Sequence, residues 1–269
     1  MTSQNKTSLR TLKAHQSLAY QLARREVVGR YRGSVFGLAW SFFNPLLMLV
    51  VYTTFFTQVF QARWGTQGEG KGVFATALFV GLIVHGMLAE SASKGAASLV
   101  GNPNFVKKIV FPIAVLPWST VLAAMFHGVL SVLVLVVGAL AIGQGIPWTV
   151  LLWPLMLVPI ALLCAGLGWL LSAGAVYFRD VGQLVAVLVT VLLFTSPVFF
   201  PADTLPAGFR TLVAWNPLTF PIEQSRALLL WGGPMDWLHF LRYTACAALF
   251  AGAALWLFRR AQRGFADVL

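Results

Sequence analysis

Charge is scarce in this sequence. Only 10% of its 269 residues are Asp, Glu, Lys or Arg, whereas charged residues make up about 25% of a typical soluble domain. Hydrophobic residues account for 58% of the chain, and the mean hydropathy is +0.79. This composition excludes an ordinary soluble domain. We therefore interpret the chain as an integral membrane protein with a single membrane domain over residues 1–269.

Residues for catalysis and metal binding are also few. The 8 acidic residues are scattered, and the sequence has no paired carboxylates, nucleophile elbow or HExxH motif, so we expect no enzyme activity. The 2 cysteines, Cys164 and Cys246, lie in apolar runs and offer no disulfide framework or CxxC metal motif. No metal or cofactor is expected on the chain. The net charge of +11 is not accompanied by any nucleic-acid-binding motif, so nucleic acid is not an expected partner.

Long apolar runs, in contrast, are abundant, and the last of them alone holds a charged residue, Arg242. Six are close to the ~20 residues that a helix needs to cross a bilayer, and they cover residues 35–60, 73–89, 113–142, 149–178, 181–200 and 238–258. The predicted fold is thus an all-α membrane protein with six transmembrane helices. Spans one to five lie within residues 35–200, and the sixth span is followed by a tail at 259–269.

Lysine and arginine fall mainly on one side of these predicted spans. Most of the 19 basic residues lie in segment 1–34, in the connections that follow the second and fourth runs, or in the tail. Positive charge favours the cytoplasmic side of a membrane, so both termini are predicted to be cytoplasmic.

The segment before the first run is basic and weakly amphipathic. Four arginines lie within nine residues, and apolar side chains recur at helical spacing at Tyr20, Ala23, Val27 and Tyr31. We predict an amphipathic helix at the cytoplasmic membrane surface within residues 1–34. Because Arg24 and Arg30 interrupt the apolar flank, a basic segment that only fixes topology is an open alternative.

Residues 201–237 form a predicted outer segment that is too apolar for an ordinary loop. Prolines break it into two helix-capable pieces, 208–215 and 222–231, and each is too short to span a bilayer. We predict a re-entrant or interfacial helical hairpin that packs against protein. The alternative is an amphipathic loop on the bilayer surface.

Residues 65–72, GTQGEGKG, nearly match a phosphate-binding loop. Gly72 stands where the magnesium-binding Ser or Thr is required, no buried strand precedes the segment, and it falls in a predicted outer loop. A flexible glycine turn is the favoured interpretation. If ATP is used, a different chain must bind it.

Two polar residues inside the runs need an interpretation. His127 lies within the third run, and Glu90 follows the end of the second. We interpret His127 as a hydrogen-bonded packing residue and Glu90 as a helix end near the interface. A proton-driven transporter would carry more buried acids, so secondary transport is disfavoured.

Five stretches carry a resemblance to a known family. They are RYRGSVFGLAWSFFNPLLMLVVYTTFF at 30–56, NPNFVKKIVFPIAVLP at 102–117, YFRDVGQLV at 177–185, SPVFFP at 196–201 and NPLTFPIEQSRALLL at 216–230. In this order and spacing, the chain resembles the membrane (permease) subunit of type-2 ABC polysaccharide exporters, which move O-antigen, teichoic acid and related glycans.

The resemblance implies a homodimeric permease that binds two copies of a separate ATPase subunit, on which ATP and Mg²⁺ are bound. Its expected substrate is a lipid-linked, O-antigen-like polysaccharide exported across the bacterial inner membrane, with lipid of that membrane as a further partner. Export of teichoic acid, capsule glycan, lipid or drug is the alternative. A membrane-embedded enzyme that modifies glycans or lipids is a more remote one.

The resemblance also implies roles for particular residues. Those expected to couple the permease to the ATPase are Arg25, Glu26, Asn104, Lys107, Lys108, Arg179 and Asp180. Aromatic residues cluster at the outer ends of the predicted spans, where they form an interfacial belt or, in part, face a channel and stack on sugar rings. The residues expected at the channel or the outer gate are Phe55, Phe56, Phe60, Phe194, Phe199, Phe200, Glu223 and Arg226. Within the second group, Glu223 and Arg226 are spaced i, i+3 and are predicted to form an ion pair, or else to solvate a surface helix.

Overall fold

The computed structural model describes residues 2–55, 64, 72–107, 111–202 and 205–268. All regular elements in these ranges are helices, which confirms the predicted all-α class. The eleven α-helices are α1 (Thr2–Arg30), α2 (Trp40–Thr54), α3 (Val73–Val100), α4 (Pro103–Val106), α5 (Val115–Ala141), α6 (Leu157–Tyr177), α7 (Val181–Thr195), α8 (Ala207–Trp215), α9 (Thr219–Arg226), α10 (Trp237–Ala261) and α11 (Phe265–Val268).

Tighter or wider turns adjoin several of these helices. A 3₁₀ turn, Gly37–Ala39, leads into α2, and a longer 3₁₀ segment, Trp148–Met156, leads into α6. A π-helical turn, Ala227–Trp231, extends α9. The long uncharged run at 149–178 is therefore one continuous helical segment whose first part, containing Pro154, is wound as 3₁₀.

Five helical segments in the described residues are long and apolar enough to cross a membrane, namely Gly37–Thr54, Val73–Val100, Val115–Ala141, Trp148–Tyr177 and Trp237–Gly264. The protein is therefore a multi-pass membrane protein. The fifth predicted run, 181–200, contains the shorter apolar helix α7. This helix ends at Thr195 and is about 22 Å long, because Pro197 disfavours helical backbone at the residue before it.

Helix α3 is longer than the second predicted span, residues 73–89. Helix α3 continues through Glu90 and Lys94 to Val100, well past the uncharged residues 73–89. Glu90 and Lys94 are spaced i, i+4 and form an ion pair, so the charges that end the apolar run stabilise the helix rather than terminate it.

Helix α3 is central to the core. Its buried residues Val84, Met87 and Leu88 pack with side chains of α5 and α6. Small residues let the backbones approach closely, because a Cβ on Gly95 would lie 3.0 Å from the Cα atom of Gly168 on α6. Helices α2 and α7 are much less covered. Their buried residues are Ser41 and Leu49 on α2, and Val185 on α7.

Helix α1 packs along α5, and its side chains are described from Gln16 onward. Ala19, Ala23 and Val27 are buried, whereas Tyr20 is exposed. The predicted apolar face was therefore wrong at Tyr20. The face is set by Ala19 and Ala23, whose small side chains at i, i+4 allow a close approach to the neighbouring helix.

Candidate functional site

Charged side chains join the C-terminal end of α1 to α3 and to the middle of α5. The carboxylate of Glu90 lies 3.0 Å from Arg30 Nη1, 2.8 Å from Lys94 Nζ and 3.0 Å from His127 Nδ1. Lys94 also lies 3.1 Å from the carboxylate of Glu26 on α1. We refer to these five residues as the α1 ion cluster. Two bonds, Arg30 to Glu90 and Glu26 to Lys94, tie α1 directly to α3.

The α1 ion cluster is only partly shielded from water. The exposed fraction is 17% for the Glu90 side chain and 43% for that of Arg30. Glu90 is thus the centre of a polar network, and its interpretation as a simple helix end was wrong. His127 is hydrogen-bonded, as expected, and it also lies edge-on to the ring of Tyr31.

A cavity of about 260 Å³ lies beside the α1 ion cluster, between the end of α1 and helices α2, α3 and α5. Polar lining residues from these elements include Arg30, Asn44, Tyr52, Glu90 and Ser131. A second cavity, of about 400 Å³, separates α1 from α4 and is lined by Arg25 and Glu26 among others. Helix α1 therefore packs on α5 through its small apolar face, whereas side-chain bridges beside these cavities connect it to α3.

The other predicted coupling residues lie on exposed turns and short helices. Asn104 and Lys107 are exposed at α4, and Arg179 and Asp180 are exposed in the turn between α6 and α7. Lys108 lies outside the described residues. Of the predicted coupling residues that the structure describes, Glu26 belongs to the α1 ion cluster, and Asn104, Lys107, Arg179 and Asp180 do not.

These exposed segments nevertheless share one end of the molecule. A buried apolar cluster joins the ends of α3 and α6 to α4, α5, α10 and α11 through Leu99, Val106, Leu116, Val176, Phe258 and Phe265. The α4 and α6–α7 regions are therefore neighbours in space, although they are far apart in the sequence.

The opposite end of the bundle is organised around a fully buried arginine. Arg226 Nε donates to the carbonyl of Ala77 at 2.9 Å, Nη1 to that of Pro197 at 2.6 Å, and Nη2 to that of Val198 at 2.8 Å. Nη1 also donates to Glu223 at 3.0 Å. The predicted ion pair is present, but Arg226 is not solvating a surface, because its side chain is 0% exposed.

Two further contacts complete the surroundings of Arg226. Its guanidinium group lies 4.3 Å from the ring centroid of Trp64, a cation–π distance. A Cβ on Gly81 would lie 2.9 Å from Arg226 Nη2 and 3.0 Å from the Cα of Val198. We call Arg226 with the groups that surround it, Ala77, Gly81, Pro197, Val198, Glu223 and Trp64, the Arg226 hub. It locks α9 to α3 and to the segment after α7.

The predicted channel and gate aromatics have differing environments. Phe55 and Phe194 are exposed, and Phe194 stacks on the half-buried Phe199 with ring centroids 5.7 Å apart. Phe200 is half-buried. Phe56 and Phe60 lie outside the described residues, as do residues 65–71 of the glycine-rich motif.

Neither the α1 ion cluster nor the Arg226 hub was predicted from the sequence, although the spacing of some of their charged residues indicated ion pairs. Glu90 and Lys94 have helical i, i+4 spacing, which predicts a pair, but nothing in the sequence links them to Arg30 or His127. Arg226 was placed next to Glu223 by its i, i+3 spacing. Its three carbonyl partners are backbone groups, which leave no trace in side-chain identity.

The fold and these sites define a class of protein, a helical multi-pass membrane protein with one polar network near the start of α3 and a second one farther along that helix. Residues 17–230 match the ABC-2 type transporter family, and the chain belongs to it. The predictions of an ABC-2 permease and of a transport protein rather than an enzyme are thereby confirmed.

Individual relatives align over most of their length. The chain is 29% identical over 261 residues to the O-antigen export system permease protein RfbA of Myxococcus xanthus, covering 96% of this chain and 98% of the relative. It is 26% identical to a Klebsiella pneumoniae protein of the same description, covering 92% and 93%. The polysialic acid transport protein KpsM of Escherichia coli is 22% identical, covering 86% and 89%.

Proposed function

We propose that this chain is the permease subunit of an ATP-driven exporter that carries a lipid-linked, O-antigen-like polysaccharide across the bacterial inner membrane. The observation that carries the proposal is similarity over nearly the full length to O-antigen export permeases. Capsule glycan export is the second candidate, because the polysialic acid transport protein also aligns over most of the chain. Its identity is lower, at 22%, so O-antigen-like cargo is preferred.

The proposed topology has six crossings with both termini in the cytoplasm. Helix α7 is the additional crossing, and residues 196–200 extend it toward the outer face. A turn of three residues separates α6 from α7, which favours an antiparallel pair of neighbouring crossings. The α1 ion cluster then lies near the cytoplasm and the Arg226 hub near the outer face.

Helices α8 and α9 form the proposed re-entrant hairpin at the outer face. They are 9 and 8 residues long, too short to span. Arg226 on α9 donates to three backbone carbonyls, and two of these, of Pro197 and Val198, lie in the non-helical segment after α7. This bonding supports packing of α9 against protein, whereas α8 is mostly exposed. We assign the hairpin the role of an outer gate.

The proposed partner is a separate ATPase subunit, present in two copies, that binds ATP and Mg²⁺. Exposed side chains at α4 and at the α6–α7 turn are available for docking, with Asn104, Lys107, Arg179 and Asp180 as the contact residues and Lys108 beside them. Motion of the ATPase would then reach the bundle through α1, whose bridges to α3 run through Arg30 and Glu26.

A homodimer supplies the proposed path for the glycan. Helices α2 and α7 are the least covered of the apolar helices, and both expose large hydrophobic side chains. Pairing these faces between two copies would bury them and place Phe55 and Phe194 at the interface. Aromatic faces suit the apolar C–H faces of sugar rings, so these side chains are the proposed channel contacts.

The experiment that tests the proposed function is purification of the tagged protein from its native membranes in mild detergent, followed by mass spectrometry. We expect a stoichiometric ATPase with a phosphate-binding loop, together with a lipid-linked glycan whose repeat mass identifies the substrate. A chain that purifies alone and captures no ATPase from solubilised membranes, with or without nucleotide, would contradict the proposal.

Coupling is tested separately by charge reversal. Lys107→Glu combined with Lys108→Glu should uncouple ATP hydrolysis from export while the permease remains folded, because the docking surface changes sign. Arg24→Glu combined with Arg260→Glu, outside α4 and the α6–α7 turn, is the matched control for two reversed charges. Unchanged export by the Lys107 and Lys108 variant would remove both lysines from the coupling role.

A further inference from the structure

A third cavity, of about 760 Å³, lies at the end of the bundle that holds α4 and the α6–α7 turn. Its walls are α1, α6, the end of α10, and the connection between α4 and α5 together with the start of α5. We call it the basic-rimmed cavity. This volume lies within the ~300–1,000 Å³ typical of sites for small molecules, and neither the coupling nor the gate assignments use it.

The rim of the basic-rimmed cavity is positively charged. Arg259 and Arg263 line it, at i, i+4 around the end of α10, and both are exposed. Among the side chains that the structure describes, which do not include that of Asp267, no acid lines the cavity and no ion pair joins either arginine to an acid. Arg260 points elsewhere, because its guanidinium lies 5.3 Å from the ring centroid of Trp256. The two rim charges are therefore available to an anion.

The depth of the basic-rimmed cavity is apolar. Leu162 and Trp169 line it from α6, and seven residues along a helix correspond to about 10 Å. Trp169 is held in place, since its Nε1 donates to the carbonyl of Ala114 at 2.9 Å and its ring stacks on Trp118. The apolar part thus continues from the charged rim into the level of the membrane-crossing helices.

A positively charged rim above an apolar slot is complementary to an amphiphile with an anionic headgroup. We propose that the basic-rimmed cavity binds an anionic phospholipid of the cytoplasmic leaflet, with its phosphate at Arg259 and Arg263 and an acyl chain along Trp118, Trp169 and Leu162. Basic pockets between membrane helices on the cytoplasmic side bind such headgroups. The leaflet assignment rests on the topology given under the proposed function.

The site is distinct from the proposed glycan path. The path uses the exposed faces of α2 and α7, whereas neither of those helices lines the basic-rimmed cavity. A free phosphate ion would leave the apolar slot unfilled. The occupant is therefore assigned as a diacyl phospholipid of the bilayer, with a structural role between α6 and α10, and not as the lipid carrier of the glycan.

Native mass spectrometry of the purified permease tests the assignment directly. The protein is reconstituted in nanodiscs of phosphatidylglycerol and phosphatidylethanolamine in equal amounts and released for measurement. We expect wild type to retain phosphatidylglycerol preferentially. Arg259→Gln combined with Arg263→Gln should weaken this retention about thirtyfold, and Arg259→Lys combined with Arg263→Lys should keep most of it.

The matched control removes the same charge elsewhere. Arg24→Gln combined with Arg260→Gln leaves the cavity lining intact and should retain phosphatidylglycerol as wild type does. Leu162→Trp fills the slot without changing charge and should also reduce retention. Equal loss in the control pair, equal retention of the two lipids by wild type, or a polyprenyl diphosphate in the site would each overturn the proposal.

These outcomes are separable from failure of the proposed function. A permease that captures no ATPase can still retain phosphatidylglycerol at Arg259 and Arg263, and a functional exporter can show no lipid preference. If Arg259→Gln combined with Arg263→Gln does not fold, the single variants Arg259→Gln and Arg263→Gln and the variant Leu162→Trp carry the test, because the first two lower the rim charge and the third fills the slot.

Discussion

The Arg226 hub and the α1 ion cluster are both polar networks in an apolar bundle, but their bonds differ in kind. Arg226 binds mainly to backbone carbonyls, which are fixed by the helices and turns that carry them. The α1 ion cluster consists of side chains bound to side chains, and two of its members are long and partly exposed. The first arrangement has one geometry, whereas the second can exchange partners.

This difference indicates different mechanical roles. A buried cation with four hydrogen bonds cannot leave its site without stranding charge and carbonyl groups, so the hub acts as a fixed anchor for the hairpin. Bridges through Arg30 and Lys94 can break and re-form in contact with water at modest free energy. The α1 ion cluster is therefore suited to transmit movement of α1 to α3 and α5.

The largest expected effect comes from removing the anchor. Arg226→Met should destabilise the protein by about 3–5 kcal/mol, because the buried guanidinium group that binds Glu223 and three carbonyl groups is removed. Thermal unfolding in detergent and abundance in the membrane measure the loss. Arg242→Met, at an exposed position, should have little effect, and equal stability of the two variants would show that Arg226 is not an anchor.

Crowding the anchor should have the next largest effect. In Gly81→Ala the new methyl group meets Arg226 Nη2 and the Val198 backbone, and the expected destabilisation is about 1–3 kcal/mol. Gly86→Ala is the control on the same helix, since nothing lies within 4 Å of a Cβ there. The two unfolding temperatures should differ clearly, and a Gly81→Ala protein as stable as Gly86→Ala would refute the close packing.

Weakening the α1 ion cluster should destabilise the protein less than the changes at the Arg226 hub do, and it should increase the mobility of α1. Glu90→Gln removes the shared carboxylate charge, and we expect about 1–2 kcal/mol of destabilisation. A spin label at the exposed Tyr20→Cys, with Cys246→Ser to remove the exposed native thiol, should report a more mobile α1. Arg24→Gln should leave the label unchanged. Unaltered mobility in Glu90→Gln would mean that apolar packing alone holds α1.

The smallest effect is expected at the start of α10. Asp236 caps this helix by accepting from the backbone N–H of His239, and it also contacts the His239 ring, which lowers the pKa of the carboxyl group. Its stabilisation is thus present above the unfolded pKa of about 4 and is lost as the pH falls through the lower folded value.

Asp236→Asn keeps the cap but removes this titration. A difference between Asp236→Asn and wild type that grows on acidification would contradict the assignment, because the wild-type advantage must shrink as the pH falls. Unfolding temperature against pH is the measurement.

The sequence predicts the all-α class, the long apolar helices and the family with little ambiguity, because uncharged runs and motif order are local properties of the chain. It predicts helix ends less well. The α3 end was placed near Glu90 because the pairing with Lys94, Arg30 and His127 that allows the helix to continue is a tertiary feature. The Arg226 hub was invisible for the same reason, since backbone carbonyls exist at every residue.

The central claim is that the α1 ion cluster transmits ATPase motion to the bundle. The direct measurement is ATP hydrolysis and glycan translocation by the permease reconstituted with its ATPase, comparing wild type, Glu90→Gln and Arg24→Gln. The account predicts that Glu90→Gln folds and retains hydrolysis but translocates much less glycan per ATP, while Arg24→Gln matches wild type. Undiminished translocation per ATP in Glu90→Gln would contradict it.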